Sequence, residues 1–237
     1  MGELSLDILY EAGPALVVNK PAGLLTQAPR GIGSLEIRIR DFYRQREGKR
    51  PDAKIYLGVV HRIDRPVTGA IVFARHVRAA RKLSAQFSDR SVRKIYWAFV
   101  EGQVAPPQGT WCDHLHKRHG MAQAEVVDAD HPAAKHAVLH YRVLWQGPRG
   151  CFIEIELETG RTHQIRVQAA SRGHAICGDT QYGSGQQFGD ACDDVRDQAI
   201  ALHARQLAFR HPMTDVPVEV VAPLPAAWST LELPEVT

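Results

Sequence analysis

The chain has 237 residues, of which 44% are hydrophobic, so it is a globular protein large enough to bury a sizeable core. Its net charge of +3 at pH 7 is too small to indicate nucleic-acid binding by itself. The N-terminus carries no secretory signal, no apolar run approaches membrane-spanning length, and the four cysteines form no CxxC pair. These features predict a cytoplasmic protein with reduced thiols and no membrane partner.

The first part of the chain is predicted to form short strands with helices between them. Strands at residues 7–11 and 15–21 are joined by an Ala-Gly-Pro turn. Ser34 is placed to cap a helix, because a serine hydroxyl accepts hydrogen bonds from the free N–H groups of a first turn. Apolar runs at residues 55–60 and 70–74 then predict two buried strands.

The rest of the chain continues this pattern. A helix is predicted from Val77, and another from about Thr162 with Gly173 as its stop. Further strands are predicted at residues 93–102, 137–145, 151–158, 201–212 and 217–225. The order of the elements predicts one α+β domain built on a mixed, largely antiparallel sheet with flanking helices.

A cluster of charged residues lies between the two buried strands predicted in the first part of the chain. Its members are His61, Arg62, Asp64 and Arg65. An ionised carboxylate held by arginine in an apolar cleft can act as a nucleophile. A buried salt bridge that merely joins two segments would show the same spacing. The residues alone leave both interpretations open.

A second polar cluster lies at the start of the last predicted helix. Thr162 and Arg166 are one helical turn apart, which predicts that both lie on one face near the helix N-terminus. Free N–H groups and partial positive charge at that end favour an anion such as a phosphate. Arg166 is also a candidate partner for Asp64.

Five segments resemble, in family order, the motifs of the RluA-type RNA pseudouridine synthases. They are VVNKPAGLLT (17–26), HRIDRPVTGAIVFAR (61–75), KIYWAFVEG (94–102), TGRTHQIRVQAASRGHAICGDTQYG (159–183) and LHARQLAFRHP (202–212). The resemblance extends over residues 8–225, which is nearly the whole chain. One four-residue match would be a weak signal, whereas five long matches in order are a strong one.

The resemblance implies a reaction and its catalytic residues. Members of this family isomerise a uridine in RNA without a cofactor or metal: they break the bond from base to ribose, turn the uracil, and rejoin it through carbon. Asp64 stands at the family's catalytic aspartate, and Arg166 stands at the arginine that pairs with it. Tyr96 stands at the tyrosine that packs against the target base. Arg62 stands at the arginine that enters the RNA stack when the uridine has been flipped out.

The resemblance also implies how the chain is organised and how it holds RNA. Residues 1–237 are expected to form a single catalytic domain with a central active-site cleft and no N-terminal accessory RNA-binding domain. This domain is expected to act as a monomer on ribosomal or transfer RNA. The residues expected to contact RNA are His61, Arg62, Arg65, Thr68, Arg161 and His163. Gln168 and Gln181 depart from the family pattern, in which a histidine and a basic residue are common at these positions.

Two other functions compete with this interpretation. A non-catalytic RNA-binding protein would be favoured if Asp64 or Tyr96 were replaced, and neither is replaced. A metal-dependent hydrolase would use a Cys/His cluster at residues 112–119. The members of that cluster are Cys112, His114, His116 and His119. Because adjacent polar residues in this segment are followed by Lys117 and Arg118, it is predicted to be an exposed loop that faces RNA. The predicted function is therefore RNA pseudouridine synthase.

Overall fold

The computed structural model describes residues 5–29, 31–121 and 123–234. Its strands are β1 (Ile8–Ala12), β2 (Ala15–Lys20), β3 (Gly58–Val59), β4 (Thr68–Ala74), β5 (Arg93–Val100), β6 (Gln108–Lys117), β7 (Ala124–Val127), β8 (Lys135–Gly147), β9 (Gly150–Leu157), β10 (Leu202–Arg210) and β11 (Pro217–Val221). Its α-helices are α1 (Leu35–Arg46), α2 (Val77–Ser88) and α3 (Gln164–Ala170), and short 3-10 helices lie at Thr180–Tyr182, Val195–Asp197 and Ala226–Leu231. No helix of these described ranges is long and apolar enough to cross a membrane.

The chain divides into two compact units. Unit 1 comprises the residues up to Val92 together with Ala204–Pro223, and unit 2 comprises Arg93–His203 together with the residues from Leu224 onward. The strand pairings within both units are antiparallel, as predicted for a mixed but mostly antiparallel sheet.

Unit 1 is built around the pairing of β2 with β4. β2 also pairs with β1, β3 pairs with the end of β4, and β10 pairs with β11. Small, β-branched and aromatic residues make up β4, and every residue of this strand is buried. In the β2–β4 register Lys20 is opposite Gly69. The end of β2 therefore lies beside the segment that enters β4.

The helices of unit 1 start and pack as the sequence predicts. Ser34 caps α1, because its Oγ accepts a hydrogen bond from the Ile37 N–H at 3.4 Å. Leu35 and Ile39 on the inner face of α1 are buried. Leu83 of α2 belongs to the apolar core that also contains Val72 of β4.

Unit 2 is a five-stranded antiparallel arrangement in the order β5-β9-β8-β6-β7. Helix α3 packs on one face of this arrangement. Val167 of α3 joins Leu115, Ala124 and Ala137 in one buried cluster. This cluster fixes α3, and with it Arg166, against the sheet.

Two predicted elements have other boundaries in the structure. The predicted strand at residues 55–60 shortens to Gly58–Val59, because only Phe73 and Ala74 of β4 pair with it. The last predicted helix begins at Gln164 and not near Thr162, because His163 has a left-handed backbone with φ of +52°. Thr162 therefore precedes α3, and the prediction that it shares a helical face with Arg166 is wrong.

Candidate active site

The first charged cluster lies in the segment of unit 1 between β3 and β4. Asp64 is half-buried in this segment, and it stands between the exposed Arg62 and the half-buried Arg65. Ile63, the residue before Asp64, is only 6% exposed. The segment closes in a turn in which the Val67 N–H donates to the Asp64 carbonyl at 3.1 Å. The aspartate is therefore presented on a segment that is fastened to the core on both sides.

A buried lysine holds the backbone just after Asp64. Lys20 is fully buried, and its Nζ donates to the carbonyls of Pro21 at 2.8 Å, Leu24 at 2.7 Å and Arg65 at 3.0 Å. Burial lowers the pKa of Lys20 to about 7, and the negative charge of Asp64 opposes this shift. The charged ammonium has three N–H donors, one for each of the three carbonyl oxygens. Only this charged form of Lys20 donates to all three carbonyls at once.

The other predicted RNA-contacting residues of unit 1 also have contacts within the protein. Arg65 Nε donates to the Gly23 carbonyl at 2.8 Å. His61 Nε2 accepts from the Val72 N–H at 3.0 Å, and the imidazole stacks on Phe87 with ring centroids 4.4 Å apart. These contacts fix His61 against β4 and Phe87, and its contact with RNA stays a prediction.

Thr68 begins β4 and is buried, directly before Gly69. Gly69 has φ of +113°, and a Cβ at this position would lie 2.3 Å from the Ala204 carbonyl oxygen. Only glycine fits here, because both the backbone conformation and the approach of Ala204 exclude a side chain. The Thr68-Gly69 pair therefore sets how the segment carrying Asp64 enters the core.

The second charged cluster forms a buried ion pair in unit 2. Arg166 is 3% exposed, and Asp179 is 1% exposed. Arg166 Nε donates to Asp179 Oδ2 at 2.6 Å, and Nη2 donates to Asp179 Oδ1 at 2.7 Å. Nη2 also donates to Gln181 Oε1 at 2.7 Å. The guanidinium is thus held by a bidentate carboxylate, the geometry that best fixes its direction.

Tyr182 connects this ion pair to its surroundings. The Arg166 guanidinium lies over the Tyr182 ring, 4.9 Å from the centroid. The Tyr182 hydroxyl accepts from the Ala124 N–H at 2.8 Å and lies 2.9 Å from His163 Nδ1. Arg161, before α3, donates from Nε to a backbone carbonyl of β8 at 2.9 Å. The predicted RNA-contacting residues Arg161 and His163 therefore lie at the beginning of α3, and their contact with RNA stays a prediction.

Tyr96 points to the sheet face of unit 2 that α3 covers. In register, Tyr96 pairs with Ile155 of β9, which pairs with Tyr141 of β8. Tyr141 and Ala137 lie on the same face of β8, because they are four residues apart on a strand. Ala137 contacts the α3 cluster. Alternation directs Trp97 to the opposite face, as the sequence predicted.

The Cys/His cluster lies on a strand, and the predicted loop at residues 112–119 is wrong for most of its length. β6 continues to Lys117, because Trp111 and Leu115 are buried on one face of the strand. Cys112, His114 and His116 occupy the opposite face, and His119 lies in the turn after the strand. The contacts of the cluster pair Cys112 with His136, 3.1 Å apart, and His116 with Glu125, 3.4 Å apart.

The metal-dependent hydrolase interpretation requires a set of metal ligands, and the part of the chain that the structure describes contains none. Within residues 5–29, 31–121 and 123–234, no group of three or more His, Cys, Asp or Glu side chains could hold a metal ion. Cys112 and His114 contact His136 of β8, whereas His116 contacts Glu125 of β7. A zinc site requires four convergent ligands, or three with an open position, and the described residues of this face do not supply such a set.

A family model described as RNA pseudouridylate synthase matches residues 14–171, well over half of the chain. The protein belongs to the RNA pseudouridylate synthase family. Its reaction is accordingly an isomerisation, and RNA is its substrate. The matched residues include Asp64, Tyr96 and Arg166.

Curated relatives align with this RNA pseudouridylate synthase along nearly its whole length. It is 35% identical to ribosomal large subunit pseudouridine synthase D of Pseudomonas aeruginosa, over 94% of this chain and 69% of the relative. It is 33% identical to the uncharacterized RNA pseudouridine synthase slr1629 of Synechocystis, over 96% of this chain and 68% of the relative. The solved structure of human RNA pseudouridylate synthase domain containing 4 has a TM-score of 0.76 at 23% identity, and the match covers 97% of this chain and 94% of that one. At this identity the structural likeness shows the fold alone.

Reasoning from sequence did not single out three residues that support the site of this RNA pseudouridylate synthase. Lys20 and Thr26 hold the backbone on either side of Asp64, and Asp179 holds Arg166. All three lie inside the matched motifs, Lys20 and Thr26 in VVNKPAGLLT and Asp179 in GDTQYG. A charged residue inside an apolar run was the available signal for Lys20.

Proposed function

We propose that this RNA pseudouridylate synthase isomerises a uridine of ribosomal RNA to pseudouridine, with Asp64 as the catalytic carboxylate. The choice of ribosomal RNA is supported by relatives named ribosomal large subunit pseudouridine synthase D in Pseudomonas aeruginosa and Vibrio cholerae, which are 35% and 33% identical to this chain. Transfer RNA is the other substrate class that the motifs allow. The enzyme acts as a monomer in the cytoplasm in this proposal.

The observation that supports Asp64 as the catalytic group is its fixed and partly desolvated position. The carboxylate is half-buried, and the charge of the buried Lys20 acts on it. The backbone of Ile63 and of Arg65 is hydrogen-bonded to buried side chains. A carboxylate that acts on a ribose must be ionised and correctly directed before the substrate arrives, because positioning supplies much of the catalytic effect.

The remaining site residues have the following roles in the proposal. Arg62 is exposed beside Asp64, where a planar guanidinium can stack on the bases left when the uridine is flipped out. Tyr96 packs against the flipped uracil. Arg166 supplies a buried positive charge whose direction is fixed by Asp179.

The decisive experiment is release of tritium from RNA labelled at carbon 5 of uracil, since this carbon exchanges its hydrogen for the bond to ribose. Asp64→Asn keeps the size of the side chain and removes its charge, so we expect turnover to be abolished while RNA binding remains. Asp52→Asn, an exposed carboxylate of the same unit, is the matched control and should keep full turnover. A folded Asp64→Asn variant that still releases tritium would refute the assignment.

The substrate class is tested separately, by mapping pseudouridines in RNA from cells with and without the protein. We expect one or more positions to be lost from ribosomal RNA and regained when the wild-type gene is restored. Restoration with the Asp64→Asn variant should not return them. Losses confined to transfer RNA would show that the ribosomal assignment is wrong and would leave the catalytic one intact.

A further inference from the structure

Thr26 makes two hydrogen bonds to the residue that directly precedes Asp64. Its Oγ1 donates to the Ile63 carbonyl at 2.9 Å and accepts from the Ile63 N–H at 3.3 Å. Thr26 is 3% exposed and Ile63 is 6% exposed, so solvent does not compete well for these groups. One hydroxyl thus satisfies both backbone polar groups of Ile63.

The backbone of Thr26 is itself fixed by the start of α1. The Glu36 N–H donates to the Thr26 carbonyl at 3.1 Å, and the Leu35 N–H donates to the Leu25 carbonyl at 2.8 Å. Leu35 is buried in the core of unit 1. The hydroxyl therefore connects the first turn of a packed helix to the segment that carries Asp64.

The other side of Asp64 is held by the same stretch of chain. Lys20 Nζ donates to the Arg65 carbonyl at 3.0 Å, and Arg65 Nε donates to the Gly23 carbonyl at 2.8 Å. Residues 20–26 thus hydrogen-bond to the residues immediately before and after Asp64. Fixed backbone on both sides of Asp64 sets the direction of its Cα–Cβ bond.

We propose that Thr26 is a positioning residue for Asp64, a role that rests on the proposed function of Asp64 as the catalytic carboxylate. The Thr26 hydroxyl fixes the peptide groups on both sides of the Ile63 α-carbon. It thereby sets the direction in which the Asp64 carboxylate leaves the backbone. Thr26 does not touch the substrate in this role; it acts through Ile63.

The test compares Thr26→Val with Thr26→Ser in the tritium-release assay. Valine keeps the shape of threonine but has no hydroxyl, so Asp64 loses its fixed direction, and we expect kcat to fall about 10- to 100-fold. The KM for RNA should stay within about twofold, because the groups that bind RNA remain. Serine restores the hydroxyl and should restore most of kcat. This split between kcat and KM, together with rescue by serine, is not expected of a residue that only stabilises the fold.

Two controls make the outcome decisive. Tyr43→Phe removes another hydrogen bond of unit 1, from the Tyr43 hydroxyl to Glu11 Oε1 at 2.7 Å, and should leave kcat unchanged. Asp64→Asn tests the proposed function itself. If Thr26→Val turns over like the wild type while Asp64→Asn is inactive, the positioning role is refuted and the catalytic one stands.

Hydrogen exchange of the wild-type protein gives a second measurement that does not depend on a variant's folding. The Ile63 amide donates to Thr26 Oγ1, and we expect it to be protected by at least about 100-fold relative to an unstructured peptide. An Ile63 amide that exchanges as fast as an unstructured peptide would show that the hydroxyl does not hold this segment. That result would overturn the proposal even if Thr26→Val failed to fold.

Discussion

Replacing Asp179 with Asn should strongly destabilise unit 2, because it leaves the Arg166 guanidinium buried without its bidentate partner. The two side chains are 1% and 3% exposed, and their two hydrogen bonds are 2.6 and 2.7 Å long. Removing one partner of such a buried pair costs about 3–5 kcal/mol of unfolding free energy. For a chain of this size that loss lowers the melting temperature by roughly 6–20 °C.

The distribution of tryptophan makes the assay specific for the unit that carries Asp179. All the tryptophans of the sequence belong to unit 2, namely Trp97, Trp111, Trp145 and Trp228. Tryptophan fluorescence in a urea titration therefore reports on the unfolding of unit 2. We expect the midpoint for Asp179→Asn to fall well below that of the wild type. Turnover should fall as well, because Arg166 loses the group that directs it.

Asp194→Asn is the matched control, since Asp194 pairs with Arg196 on the surface of the same unit at 2.6 Å. An exposed pair contributes little to stability, so this variant should unfold almost like the wild type. Combining Asp179→Asn with Arg166→Met should cost less than the sum of the two single changes, because the double variant removes both charges of the ion pair. Equal losses for Asp179→Asn and Asp194→Asn, or strict additivity in the double variant, would refute the reasoning.

Lys20→Met should remove a pH dependence from stability. The folded pKa of Lys20 is about 7, below its ordinary 10.5, so the unfolded chain binds the proton more tightly. The unfolding free energy of the wild type should therefore rise by up to about 1.4 kcal/mol per pH unit from pH 7 to 10.5, relative to Lys20→Met. Parallel stability curves for the two proteins would contradict this. Gly69→Ala should destabilise unit 1 far more than Gly13→Ala, because only the change at Gly69 places a Cβ 2.3 Å from the Ala204 oxygen. Circular dichroism during thermal unfolding measures the difference, and equal melting temperatures for the two variants would contradict the prediction. A thiol reagent at pH 8 should modify two cysteines quickly and two slowly, since burial raises the pKa of two thiols, that of Cys177 to about 11. The fast pair is Cys112 and Cys192 and the slow pair is Cys151 and Cys177, so four equal rates would refute the assignment.

The features that depend on neighbouring residues were predictable from the sequence. Ser34 caps α1 as expected, because the cap and the N–H group that it receives lie three residues apart. The buried part of β4 was also predicted, because residues 70–74 form an unbroken apolar run. The start of α3 was not predictable, because no residue pattern indicates that His163 has a left-handed backbone.

The features that depend on contacts between distant residues were not predictable by pattern. Residues 112–119 were predicted to form a loop because polar residues there are followed by Lys117 and Arg118. The burial of Trp111 and Leu115 on one face makes the segment a strand as far as Lys117. The pairing of Arg166 with Asp64 stays a prediction, and the bond that Arg166 makes to Asp179 was not foreseen. The structure was needed to show that Lys20 and Thr26 hold the backbone beside Asp64 and that Asp179 holds Arg166.

The division of the chain into units has a consequence for its synthesis on the ribosome. The chain passes between the units three times, after Val92, His203 and Pro223. Unit 1 receives β11 and most of β10 only after the strands of unit 2 have been translated, so an emerging fragment that ends at Val92 exposes the edge of β4 that β10 later covers. The core of unit 2 is likewise incomplete until Trp228 has been synthesised, because Trp228 packs against Phe152. Neither unit is one continuous stretch of the chain, so neither can complete its folding during translation until its last segment has been synthesised.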